Sequence, residues 1–67
     1  MEKETFKTYR KNLGLSQTKL SKLLSISRST ISYWENGTHK ISMPKMVDLA
    51  LKQLSNEMGI SLENKIA

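Results

Sequence analysis

Apolar side chains at helical spacing divide residues 17–36 into two short amphipathic helices. The first carries a stripe of apolar residues three or four positions apart: Leu20, Leu23 and Leu24. The second places Ile31 and Trp34 on one face, three positions apart. Few residues separate the two patterns, so the turn between them must be tight. This predicts two packed helices that meet at a fixed angle.

The same patterns, with the residues that start and stop helices, predict an all-α chain. The predicted helices cover about 4–12, 17–24, 28–36 and 43–58. Serines suited to cap helix starts precede three of them: Ser16, Ser27 and Ser42. Glycines suited to end helices follow three of them: Gly14, Gly37 and Gly59. Pro44 is tolerated in the first turn of the fourth helix. Residues 62–66 either add one more turn or fray, so we expect a compact bundle of four to five helices.

Length and composition narrow the class of protein. A chain of 67 residues buries only about 60% of the surface that its unfolded form exposes, so its margin of stability is small. It has no cysteine for a disulfide or a Cys-based zinc site, which fits a cytoplasmic location. No apolar run reaches membrane-spanning length, and the N-terminal residues lack a signal-peptide core. We therefore expect a single cytoplasmic domain over residues 1–67 with no membrane partner.

The charge is unevenly distributed along the chain. The net charge is +5, and no acidic residue occurs from Thr5 to Trp34. The charged residues in that segment are all basic: Lys7, Arg10, Lys11, Lys19, Lys22 and Arg28. A solvated lysine-rich surface is one interpretation. A phosphate-binding surface is the other, and it is favoured because the basic segment coincides with the paired helices.

The third helix carries hydrogen-bond donors on the face opposite its apolar side: Arg28, Ser29, Ser32 and Tyr33. The DNA major groove offers acceptors and thymine methyl groups to such a face. Arg28 is expected to bond guanine O6 and N7, with a phosphate contact or a solvated side chain as alternatives. Ser29 and Ser32 are short, so they reach bases only where the helix lies deep or through water. Tyr33 either contacts a thymine methyl or a phosphate, or partly covers Trp34.

The spacing of the apolar positions is specific. Counted from Gln17, the fourth, eighth, tenth, fifteenth and eighteenth positions are apolar: Leu20, Leu24, Ile26, Ile31 and Trp34. The flanking segments are LGLSQ at 13–17, ENG at 35–37 and SMPKMVDLAL at 42–51. From about residue 9 to residue 54, this pattern resembles the helix-turn-helix of the Cro/C1-type (XRE-like) family, which includes small phage repressors and many bacterial regulators. The fold that the resemblance implies is the lambda-repressor-like DNA-binding bundle.

Two positions depart from the family's pattern. Ser21 stands where a small residue, usually Ala, lets the two helices approach. Ser25 stands in the turn, where many members have Gly. A residue other than Gly in a left-handed conformation costs about 1 kcal/mol. We therefore expect a turn that is either mildly strained or slightly different in shape.

The resemblance implies DNA contacts at both ends of the third helix. The family's base-reading positions match Ser27, Arg28, Ser29 and Tyr33, and the donor face adds Ser32. Phosphate contacts are implied for Gln17, at the start of the second helix, and for the loop after the third: Asn36, Thr38, His39 and Lys40. A solvated loop histidine is the alternative for His39, the only histidine. The resemblance further implies an ion pair between Arg10 and Glu35 beneath the recognition helix, whose loss would leave a buried charge.

The fourth helix carries more apolar surface than one core contact requires. Either all of it covers the core, or part of it packs on a second copy of the chain. The predicted dimer surface lies within residues 43–67 and comprises Leu49, Leu51, Leu54, Met58 and Ile60.

These features predict a sequence-specific DNA-binding transcriptional regulator. The form we expect is a repressor that binds double-stranded DNA at a pseudo-palindromic operator as a homodimer, with half-sites about 34 Å apart. Two alternatives use the same fold: an antitoxin that binds a toxin and regulates its own gene, or a protein-interaction module without DNA binding. An enzyme, a cofactor or a metal site is not expected, because one histidine, no cysteine and no clustered carboxylates leave no catalytic set.

Overall fold

A computed structural model describes residues 1–62 of the chain. Its helices are α1 (Lys3–Asn12), α2 (Gln17–Leu24), α3 (Arg28–Asn36) and α4 (Pro44–Met58). The bounds of α2 and α3 agree with the sequence prediction, and α1 begins one residue earlier than predicted. The all-α class is confirmed for the described residues. The proposed turn or fray at 62–66 lies, beyond Leu62, outside the described residues.

The core is an apolar cluster to which every helix contributes: Phe6, Leu13, Leu20, Ile31, Trp34, Leu51 and Leu62. Burying a side chain of this size stabilises the folded state by about 1.5–3 kcal/mol. Phe6 of α1 and Trp34 of α3 meet edge to face, with ring centroids 5.6 Å apart and ring planes at 88°. This contact attaches the inner face of α3 to the first helix.

The turn between α2 and α3 is held by a left-handed serine. Ser25 has φ 59° and ψ 40°, so the left-handed alternative in the sequence prediction is the one observed. The amide of Ser25 donates to the carbonyl of Lys22, and the amide of Ile26 donates to the carbonyl of Ser21. This pair of bonds is a Schellman motif, which closes α2 and directs the chain into α3. Ser21 is buried, and its hydroxyl donates to the carbonyl of Thr18 at 2.6 Å, so its polar atom has a partner at the close approach of the helices.

The start of α4 differs from the prediction that Ser42 caps it. The capping position is occupied by Met43, which has a left-handed backbone (φ 49°) and makes no side-chain capping bond. Pro44 is the first helical residue, and proline disfavours the right-handed helical region for the residue before it. Met43 therefore stays outside the helix, and Ser42 lies one residue too early to cap it.

The far end of α4 returns the chain to α1. Gly59 is left-handed, and the amide of Ile60 donates to the carbonyl of Ser55 at 2.9 Å. The chain then brings Leu62 into the core, where its carbonyl accepts a hydrogen bond of 2.6 Å from the side-chain amide of Asn12. Leu62 was not among the residues predicted to lie in the core.

The structure corrects the predicted dimer surface at one residue. Leu51 is fully buried in the core of a single chain, so it has no surface to offer a second copy. Leu54 and Ile60 are half-buried against the same core. Leu49 and Met58 are exposed, at 65% and 41%. Within residues 1–62, no helix is both long and apolar enough to cross a membrane.

Candidate nucleic-acid interface

Helix α3 has a buried back and an exposed front. Its back is Ile31 and Trp34, both buried in the core. Its front begins with Arg28 and Ser29, which are exposed. Ser32 is half-buried and Tyr33 is 43% exposed. The donor face predicted from the sequence is therefore at the surface, and it contains no acidic side chain.

The first turn of α3 is capped through Ser27. Its hydroxyl oxygen accepts from the backbone amide of Thr30 at 3.1 Å and shares a second hydrogen bond of 2.8 Å with the hydroxyl of Thr30. Ser27 is also one of the predicted base-reading residues, so the same hydroxyl has a structural partner in the free protein. The Ser-x-x-Thr spacing carries this signal, but only the cap at Ser27 was predicted and not the second bond to Thr30.

An ion pair between α1 and α3 lies behind the exposed front. The guanidinium of Arg10 donates to Glu35 through two nitrogens, Nε to Oε2 at 2.6 Å and Nη2 to Oε1 at 3.0 Å. Its third nitrogen donates to the carbonyl of Leu15 at 2.9 Å. The two charged side chains are only 12% and 5% exposed. Two parallel bonds fix orientation as well as distance, so the end of α3 is held in one position against α1.

Gln17 extends this ion pair to α2. Its side-chain amide nitrogen donates to Oε1 of Glu35 at 3.1 Å. We call Arg10, Gln17 and Glu35 the Glu35 network, because each of the first three helices contributes one of them. Gln17 was predicted to bind phosphate alone, and its link to Glu35 was not predicted, since no local pattern shows that positions 17 and 35 meet.

The Glu35 network determines the charge of its carboxylate. Burial raises the pKa of Glu35, but hydrogen bonds from Arg10 and Gln17, with the charges of Arg10 and Lys7, outweigh that effect. The pKa of Glu35 is therefore held below its ordinary value. The one acidic residue of α3 is ionised and neutralised inside the fold, which leaves the front of the helix free of negative charge.

The loop after α3 folds back on the helix. The side-chain oxygen of Asn36 accepts from the backbone amide and the hydroxyl of Thr38, at 2.9 and 2.6 Å. His39 then lies on Tyr33, with ring centroids 4.8 Å apart and ring planes at 29°. Lys40 is exposed beyond it. Tyr33 thus stacks on His39, a contact that was not among the alternatives considered for either residue.

Two groups of the predicted contact residues lie at opposite ends of α3. Ser27, Arg28 and Ser29 lie at its start, and the segment from its last residue, Asn36, to Lys40 lies at its end. The helix has nine residues, which span about 13 Å at 1.5 Å per residue. A B-DNA major groove is about 12 Å wide, so the two groups are separated by about the width of the groove.

This arrangement is that of a helix-turn-helix DNA-binding protein: two short helices at a fixed angle, the second exposing a face of donors. The family described as Helix-turn-helix matches the chain over residues 6–63. No curated protein and no solved structure matches the chain. The chain belongs to the Cro/C1-type helix-turn-helix family and is a DNA-binding regulator.

The Glu35 network predicts a large loss of stability when its cation is removed. Arg10→Met leaves the buried carboxylate of Glu35 without its guanidinium, and we expect the free energy of unfolding in urea to fall by about 3–5 kcal/mol. Arg10→Met combined with Glu35→Leu should recover most of this loss, because no charge is then left buried. Lys7→Met, which removes an exposed charge, should cost less than about 1 kcal/mol. Equal losses in the single and double variants would contradict this account.

The same network predicts a specific response to acid. Because the pKa of Glu35 is lowered on folding, its contribution is complete above the unfolded value of about 4.3 and is lost as the pH falls through the folded value. Unfolding free energies of the wild type and of Glu35→Gln should therefore differ by a constant amount at pH 5–7. That difference should shrink below about pH 4.3. A difference independent of pH between 3 and 7 would show that folding does not lower this pKa.

Proposed function

We propose that this DNA-binding regulator is a sequence-specific repressor that binds an inverted-repeat operator as a homodimer. The observation that carries the proposal is the front of α3, which exposes donors and no acid while its back is fixed in the core. A helix held in this way can enter the major groove as a rigid body. Repression then follows from occupying promoter DNA and blocking the polymerase.

Sequence is read from the start of α3. Arg28 is exposed and has the reach to bond guanine O6 and N7 together, which discriminates against other bases by about 1–3 kcal/mol. Ser29, Ser32 and Tyr33 contribute shorter or apolar contacts to neighbouring base edges. Ser27 contributes through the hydrogen-bonding capacity that its hydroxyl has left, because the hydroxyl oxygen already accepts the capping bond from Thr30.

Phosphates are bound on both sides of the groove. The amide of Gln17 uses one N–H on Glu35, and an amide nitrogen has a second N–H to donate. That second N–H, together with the positive end of α2, suits a phosphate oxygen. On the other side, Asn36, Thr38, His39 and Lys40 form the loop that meets the backbone. Such contacts position the protein without reading sequence.

The size of the protein supports binding in pairs. The described residues measure 31 × 22 × 20 Å, and successive half-sites on one face of DNA are about 34 Å apart. Two copies on adjacent half-sites would therefore lie within contact distance of each other. Of the residues predicted to form the dimer surface, Leu49 and Met58 have exposed side chains. Met46, three residues before Leu49 and therefore beside it on the helix, is 60% exposed.

An antitoxin is the second candidate function, and the exposed apolar side chains of α4 and of the residue before it favour this function. Met43, Met46 and Leu49 are all at least 60% exposed, and a group of exposed apolar side chains is typical of a protein-binding surface. Methionine-rich surfaces adapt to partner proteins. In that case the apolar face of α4 binds a toxin, and DNA binding regulates the gene pair.

Selection from random duplex DNA at near-physiological salt tests the proposal and the base-reading role of Arg28. We expect the wild type to enrich an inverted repeat that two chains bind. Arg28→Ala should lose preference at one position of each half-site, because it removes the base contact. Lys40→Ala should weaken binding to all sequences about equally and reduce the slope of affinity against salt, because it removes a phosphate contact.

Enrichment of no motif, with only weak salt-sensitive binding, would contradict the repressor proposal and favour a protein-interaction module without sequence-specific DNA binding. A uniform loss in both variants would show that Arg28 contacts phosphate and not bases. Circular dichroism of both variants controls for folding, since each residue is exposed and outside the core.

A further inference from the structure

The stack of His39 on Tyr33 joins a base-reading position to the backbone-binding loop. The rings are 4.8 Å apart at their centroids, and their planes are inclined by 29°. The backbone adds a second link, since the amide of His39 donates to the carbonyl of Tyr33 at 3.3 Å. The two residues therefore touch through both main chain and side chain.

The residues between Tyr33 and His39 determine how His39 approaches the tyrosine ring. Gly37 ends α3 with φ 83°, a left-handed turn that reverses the chain. The side chain of Asn36 then holds Thr38 by the two hydrogen bonds described above. These contacts bring the next residue back over the last turn of the helix, so the imidazole lies on the tyrosine before any DNA is present.

Tyr33 remains partly open despite this cover. The residue is 43% exposed, as expected when one face of its ring is covered. A side chain held in one orientation loses less freedom on binding than a mobile one. A ring held by this stack would therefore lose little freedom when its edge and hydroxyl contact a base.

We infer that His39 is a positioning residue, which holds the ring of Tyr33 in the orientation that reads DNA and so helps to set the base preference beneath Tyr33. This rests on the proposed function, in which α3 occupies the major groove. A positioning role for His39 differs from a phosphate contact by the same residue, because a phosphate contact changes affinity for all sequences alike. A positioning residue changes preference at one position of the half-site.

The first experiment uses the free protein and needs no DNA. The three-bond couplings between the α and β protons of Tyr33, measured by nuclear magnetic resonance, report whether its side chain occupies one rotamer. We expect one rotamer in the wild type, averaging in His39→Ala, and one rotamer again in His39→Phe, which keeps a ring for stacking. Averaging in the wild type, or no difference between the wild type and His39→Ala, would overturn the positioning role.

The second experiment measures base preference with the selected operator and its single-position variants. His39→Ala should reduce discrimination at one position per half-site by about 3- to 10-fold, and His39→Phe should retain it. In a Tyr33→Ala background, His39→Ala should change that discrimination no further. Lys40→Ala, next along the loop and without the ring contact, should leave the preference unchanged.

The outcomes separate this inference from the proposed function. Uniform weakening by His39→Ala at every position, with operator preference intact, would overturn the specificity role and leave the repressor proposal standing. A wild type without sequence preference would overturn the repressor proposal and the specificity role together. The rotamer measurement decides the positioning role in either case.

Discussion

The bidentate ion pair between Arg10 and Glu35 is the interaction on which the DNA-binding arrangement depends. It connects α1 to the end of α3, and Gln17 adds α2 through the same carboxylate. Helix α3 must serve as a wall of the core and as an exposed binding surface, so little of its own surface is left to hold it in place. The ion pair fixes its orientation from behind. It also neutralises the only acid of α3. The same ion pair therefore holds the helix in place and keeps its exposed face free of negative charge.

The turn between α2 and α3 supplies the other constraint. Ser25 takes the left-handed conformation that glycine adopts at lower cost. The Schellman bonds around it close α2, and the buried hydroxyl of Ser21 is satisfied within α2 by the carbonyl of Thr18. A small protein has a narrow margin of stability, so a mild local cost is tolerable only because the core and the Glu35 network compensate for it. The angle of the helix pair is therefore set by backbone geometry, and the position of the pair by the buried charges.

Local signals predicted most of the helix bounds, although the predicted cap at Ser42 was wrong. Of the distant contacts, only the ion pair of Arg10 and Glu35 was predicted, and it came from the family resemblance. The bounds of α2 and α3 followed from apolar spacing and from Ser16 and Ser27, which act within one turn of the chain. The placement of Leu51 on a dimer surface was wrong, because apolar spacing identifies a face but not what covers it. Leu62 was missed because it meets the core and Asn12 across fifty positions of sequence, a separation over which no local pattern predicts contact. The stack of His39 on Tyr33 likewise requires the turn at Gly37, whose direction the sequence does not show.

Protection of an enriched operator from methylation by dimethyl sulfate tests most directly whether α3 reads the major groove. The reagent methylates guanine N7 in the major groove and adenine N3 in the minor groove. We predict protection of guanine N7 in two half-sites about one helical turn apart, with adenine N3 between them still reactive. Protection of adenine N3 with guanine N7 left reactive would place the protein in the minor groove and contradict the account.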